Sequence, residues 1–192
     1  MQKIGRILLI QIQPASIKVG RPERYDPMRL LLVDELLLSQ AGVIGVTKDG
    51  RQIVDVHNAN HPETKSRGDN GFSIGFTSQY KSMRSRFGVH IADACAGENI
   101  LVETDRMYSL ADLQGGLAIE QTRTGKFIFL TDIQPVVPCL PFSTYAANKT
   151  LEQHEVKETL QFLMHGRRGF LAELVDKGKT VPVCVGDVLY RA

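Results

Sequence analysis

The stretch "PVVPCLP", residues 135 to 141, sets one cysteine, Cys139, between Pro138 and Pro141. Pro138 removes a backbone donor and fixes one dihedral, and Pro141 repeats the constraint, so the direction of the thiol is well defined. The segment leaves an apolar, β-rich run, and strand ends are where reactive groups are commonly mounted. An unperturbed thiol with a pKa near ~8.5 is only about 3% thiolate at pH 7, so reactivity requires a cation or a metal beside it. Arg67, Arg84, Arg86, Arg167 and Arg168 are the candidate cations. On these local features, packing and chemistry stand equally open for Cys139.

The other two cysteines serve as controls. Cys184 lies in "VPVCVGD", an apolar strand-like run away from any cationic cluster, where burial raises a thiol's pKa and leaves it inert. Cys95 lies in "ADACAGEN", a small-residue loop in which Asp93 and Glu98 disfavour a neighbouring thiolate. Both read as structural. Three cysteines without CxxC spacing also exclude a disulfide framework or a zinc knuckle. His57 and His61 are four apart, but Pro62 and the turn-rich surroundings argue against a helix that would aim both at a metal, so they read as surface histidines.

Stepping outward, 192 residues with 43% hydrophobic content support a single domain over 1–192 that buries roughly 70% of its unfolded surface. The net charge of +2 is small and both signs are interspersed, which excludes a nucleic-acid duplex as the main partner. The N-terminal apolar stretch "ILLIQIQ" is too short and too interrupted by Gln to span a membrane, and no secretory cleavage pattern follows, so no membrane partner and a cytoplasmic location are expected.

Residues 6 to 13 predict a first strand, and the Leu-rich stretch 25 to 42 fits helix or buried strand equally. A hairpin is expected around Asp49-Gly50 and another around Thr124-Gly125. "FSIGF" predicts a short strand leading to a helix capped by Ser78 and ending before Gly88, "GENILVETD" a strand, and 151 to 164 a helix stopped by His165-Gly166. The tail reads as two strands separated by "DKGK". Many strands and two clear helices define a β-dominated mixed α/β fold, a closed or partly closed β-barrel with a few peripheral helices.

Three motifs in order, "GENI" at 97 to 100, "PC" at 138 to 139 and "HGRRGFLAELVDKGKTVPVCVGDVL" at 165 to 189, resemble the MOSC domain, the C-terminal domain of molybdenum cofactor sulfurases that also occurs as small stand-alone proteins. The resemblance implies a MOSC-like β-barrel in which Cys139 either coordinates the molybdenum of a molybdenum-pterin cofactor or carries a persulfide. The first role implies a small oxidoreductase on N-oxygenated compounds, or a cofactor carrier, with a small-molecule substrate and a redox partner. The second implies a sulfur carrier supplied by a cysteine desulfurase. No pyridoxal phosphate is expected within this chain, which has no room for the pyridoxal-phosphate domain of full-length sulfurases. Val136 and Val137 stand where the family often carries polar or basic residues, which leaves a third reading, a non-catalytic binding module.

The resemblance also implies which residues form the pocket. A molybdopterin has a phosphate and a polar pterin, which call for cationic forks and for amide or backbone groups. Lys65, Ser66 and Arg67 are candidate phosphate contacts on one loop. Glu98 and Asn99 shape the site, or Glu98 is a satisfied turn carboxylate. Arg167 and Arg168, flanked by Gly166 and Gly169, approach a phosphate closely or else end a helix and offset its dipole.

Overall fold

The structure, a computed structural model, describes residues 1–65 and 71–192. Among these, the chain runs through β1 (Gln2–Ile12), β2 (Lys18–Val19), β3 (Arg24–Tyr25), a 3-10 turn (Pro27–Arg29), β4 (Leu31–Leu32), β5 (Glu35–Ser39), β6 (Gly42–Val46), β7 (Gln52–Val54) and β8 (Phe72–Phe76). It continues with α1 (Thr77–Phe87), β9 (Ile100–Val102), α2 (Leu110–Leu113), β10 (Leu117–Glu120), β11 (Phe127–Pro135), α3 (Leu140–Ala147), α4 (Gln153–Leu163), β12 (Phe170–Leu174), β13 (Val181–Val183) and β14 (Val188–Arg191).

Seven strands close into a barrel in the order β1, β14, β10, β11, β12, β8, β9 and back to β1. The seam is antiparallel, from Gln2 opposite Arg191 to Arg6 opposite Val188. Of the barrel pairings only β8 with β9 is parallel, Ile74 facing Ile100. A parallel pair needs a crossover, and α1 with the loop after it supplies one. The barrel is filled by alternation, seen plainly on β11, where Ile128, Leu130 and Ile133 are buried and Phe127, Phe129 and Thr131 face outward. The alternation skips a step at Thr131 to Gln134, where the register with β12 shifts.

A second sheet, β13-β5-β6-β7, shares the barrel's core through Leu36, Leu38, Val43 and Val183. Helices α1, α3 and α4 build a smaller cluster beside the barrel, containing Tyr80, Met83, Phe142, Ala146 and Leu163. The expected barrel with peripheral helices is therefore the observed architecture. Both hairpins form at their expected turns, β6 with β7 and β10 with β11. The Leu-rich stretch resolves into strands, because Leu36 and Leu38 alternate inward while Leu37 is half-buried.

Two local expectations are corrected, and one helix is added. Ser78 does not cap α1. The cap position is Phe76, whose N–H donates to Gln79 Oε1 at 2.8 Å, while the Ser78 and Thr104 hydroxyls bond each other at 2.8 Å. The tail holds three strands, because Asp187 accepts from the Cys184 N–H at 2.9 Å and turns the chain between β13 and β14. The added helix is α3, which directly follows Cys139 and to which the sequence pointed in no way, with Cys139 as its N-cap residue and Pro141 in its first turn, where a missing N–H costs nothing.

Candidate functional site

A cavity of about 360 Å³ opens where the ends of β1, β8, β9 and β12 meet the turn before α3. One wall is the loop 94–99, held from beneath by two buried glutamines at the end of β1. Gln11 Nε2 donates to the carbonyls of Ala94 (2.8 Å) and Glu98 (2.9 Å), and Gln13 Nε2 donates to that of Gly97 (3.1 Å). Gly97 has φ +89°, and a Cβ there would stand 2.9 Å from Gln13 Nε2, so the loop can follow this path only with glycine. Asn99 ties the loop to its neighbours. Its Oδ1 accepts from the Ser73 N–H and hydroxyl, both at 3.0 Å, and its Nδ2 reaches Gln11 O and Asp55 Oδ2, both at 3.3 Å.

Glu98 is buried, and its side chain packs against the bare backbones of Gly75 and Gly169. Its Oε2 accepts from the Tyr80 hydroxyl, which in turn accepts from the Ala96 N–H at 3.2 Å. Its Oε1 has no hydrogen-bond partner. Burial pushes the Glu98 carboxyl above its ordinary range against the opposing pull of Arg168 and the Tyr80 hydrogen bond. Burial likewise holds Tyr80 well above the ordinary phenol range, reinforced by the Glu98 charge.

Arg168 spans the site. Its Nη2 donates to Ala96 O at 2.6 Å and approaches the Tyr25 hydroxyl at 3.5 Å, and its guanidinium lies 4.5 Å from the Phe142 ring centroid. Its Nε is buried without a partner. Burial works against its charge, yet its interactions with neighbouring acidic groups, Tyr25 first and then Glu98, outweigh it, so the guanidinium is held above its ordinary range and stays charged. Tyr25 is held well above its own range by burial, with Arg168 opposing. Cys139 shares this wall and packs against the helical cluster, half-buried at the head of α3, where its carbonyl accepts from the Ser143 N–H and hydroxyl, both at 3.0 Å.

The other thiols behave as controls should. Burial, and then the Glu98 charge, pushes Cys95 up to about 12. Cys184 is raised by burial and then by Glu35. Neither lines the cavity.

Of the residues singled out in the sequence, Cys139, Glu98, Asn99, Arg168 and Lys65 come together on the cavity wall. Ser66 and Arg67 lie outside the described residues. Arg167 is not on the wall; its Nη1 donates to the Phe162 carbonyl near the end of α4, and its guanidinium sits 4.2 Å from the Phe162 ring centroid. It takes the helix-ending role. Val136 and Val137 do line the cavity, as an apolar edge beside Cys139.

The sequence reading missed Tyr25, Gln13, Lys18 and Ser73, which are also on the wall. His57, read as a surface histidine, is exposed as expected, and it also stands at the cavity's edge and bonds Asp55 through Nδ1 at 2.9 Å. The spacing of Asp55 and His57, two apart after a strand, was the available signal. His61 instead spends its Nε2 on the Pro14 carbonyl at 3.1 Å.

No family model matches the chain, and no curated protein matches it. Among solved structures, the chain is similar to the YuaD protein from Bacillus subtilis, with 14% identity, 96% of this chain and 93% of that chain covered, and a TM-score of 0.55. It is also similar to a chain described as a hypothetical protein, with 13% identity, 95% and 67% covered, and a TM-score of 0.52. At these identities the likeness is one of fold. No helix among the described residues is long and apolar enough to cross a membrane.

Proposed function

We propose that this chain is a MOSC-type protein that binds a molybdenum-pterin cofactor, with Cys139 as the protein's thiolate ligand, and acts as a small oxidoreductase on N-oxygenated compounds. The observation that supports this best is the shared cavity wall: a half-buried thiol at the head of α3, a charged Arg168 and two lysines, Lys18 and Lys65, line one cavity.

The residues present fit such a group. Among the described residues no cluster of three or more His, Cys, Asp or Glu side chains can hold a bare ion, so a metal at Cys139 arrives with its other ligands attached. Thiolate is a soft donor suited to that role. Glu98 Oε1 and Arg168 Nε are a buried acceptor and a buried donor, each without a partner, which suits a heterocycle that both donates and accepts. Lys18 and Lys65 suit its phosphate. When bound, the cofactor supplies a metal centre for two-electron removal of oxygen from nitrogen. The chain supplies the sulfur of Cys139, the fixed charge of Arg168, and an apolar edge of Ile17, Val136 and Val137 that limits water.

The test is molybdenum and pterin content after expression in a cofactor-producing host. Cys139→Ser folds and loses the metal, and equal metal content in the variant overturns the reading.

A second reading uses the same thiol as a persulfide carrier loaded by a cysteine desulfurase. It is favoured by the half-buried position of Cys139 on the cavity wall that also carries Arg168. Mass spectrometry of the purified protein decides it: a labile gain of one sulfur on Cys139 fits the carrier.

A further inference from the structure

Just beyond β7, the buried Asp55 carboxylate collects four donors. Its Oδ2 receives the Gln13 N–H at 2.8 Å and Asn99 Nδ2 at 3.3 Å, and its Oδ1 receives the His57 N–H at 2.8 Å and His57 Nδ1 at 2.9 Å. A carboxylate only accepts, so Nδ1 carries the hydrogen on this side, and in the neutral ring it is Nε2 that has the lone pair. The backbone and ring of one residue thus grip one oxygen, which fixes the imidazole's orientation. Nε2 has no hydrogen-bond partner among the described residues, and 66% of the His57 side chain is exposed, although Asp55 is buried. His57 lines the same cavity as Cys139.

We infer that His57 is the proton-transfer group of this cavity and Asp55 its positioning residue, with Nε2 exchanging a proton with a small molecule bound there. The inference rests on the cavity being the reaction site proposed above. Reduction of an N-hydroxyamidine takes up two electrons and two protons and releases an amidine and water, so a site for it needs a proton donor as well as an electron source. The other ionisable groups on the wall are poorly suited. Arg168 stays charged, Tyr25 holds its proton tightly, Glu98 is buried and assigned to the heterocycle, Cys139 is assigned to the metal, and Lys18 and Lys65 are assigned to a phosphate. An imidazole with one nitrogen fixed and the other open is built for general acid–base transfer.

Two measurements test this. In 15N-labelled full-length protein, NMR of the histidine rings, assigned with His57→Gln, is expected to show His57 as the Nδ1–H tautomer, and Asp55→Asn to shift it toward a mixture. A predominant Nε2–H tautomer in the wild type overturns the inference. Turnover of an aryl N-hydroxyamidine with a reduced viologen dye as electron donor is the second. His57→Gln lowers kcat by about 10²-fold while KM changes by less than about threefold and molybdenum content equals the wild type. Undiminished kcat with full metal overturns the inference. A wild type that holds no metal overturns the functional reading instead, and the tautomer measurement stands independently of it.

Discussion

Arg168 reaches from the turn before β12 to the carbonyl of Ala96, its Nη2 donating at 2.6 Å, and so joins the two loops that face each other across the site. The same guanidinium rests on Phe142 of α3. One planar cation therefore holds three separate segments in register around Cys139.

Arg168→Lys should loosen all three. An ammonium cannot reproduce both the Ala96 hydrogen bond and the planar contact with Phe142, so we expect a loss of about 1–2 kcal/mol in urea unfolding. On the proposed reading, reduced molybdenum retention should accompany it. Unchanged stability and unchanged metal would show that the guanidinium is not a tie.

The raised Glu98 carboxyl makes a pH prediction. The folded state binds this proton more tightly than the unfolded chain, so the contribution of Glu98 is intact below the ordinary value of 4.5 and is lost as pH rises through its folded value. The Tm difference between Glu98→Gln and wild type should therefore move in favour of the variant as pH rises above the ordinary value of 4.5. A difference that is flat as pH rises, or of opposite slope, contradicts the assignment.

Gly169 has φ +94°, and a Cβ there would meet the Ile74 carbonyl oxygen at 2.8 Å and Glu98 Oε1 at 3.3 Å. Gly169→Ala combines left-handed strain with a backbone collision, at a cost of about 2 kcal/mol or more. In a chain of this size that lowers Tm by roughly 4 °C or more in a thermal scan. A variant as stable as the wild type would mean that the backbone takes another path beside Glu98.

Thiol labelling should be ordered. With its pKa pushed up to about 12, Cys95 is ionised in only roughly one molecule in 10⁵ at pH 7, and it is buried as well. Brief alkylation of the native protein, read by peptide mass spectrometry, should modify Cys139 first and Cys95 only on unfolding. Native labelling of Cys95 at a matching rate would contradict the structure.

What the sequence revealed and what it hid divide along chain distance. The Asp49-Gly50 and Thr124-Gly125 hairpins were legible because turn chemistry is local. The end of α1 at Gly88 was legible for the same reason. Its start was not, because a glutamine three residues on serves the Phe76 N–H and leaves Ser78 to bond Thr104, just past the end of β9. Helix α3 was hidden by its content: "LPFSTYAA" is rich in aromatic and hydroxyl residues and has no apolar stripe of helical period. In the site, Cys139 stood out because two prolines frame it. Tyr25, Asp55 and His57 did not, because each is ordinary until the fold brings β3 and the end of β7 to the loop 94–99.

The seam between β1 and β14 also bears on synthesis. Strands far apart along the chain pair there, Gln2 with Arg191, so the barrel cannot close until β14 has emerged from the ribosome. Until then β1 presents an open edge where β14 will lie. A nascent chain stalled before Val188 should accordingly remain sensitive to protease along β1, although its later hairpins have already formed.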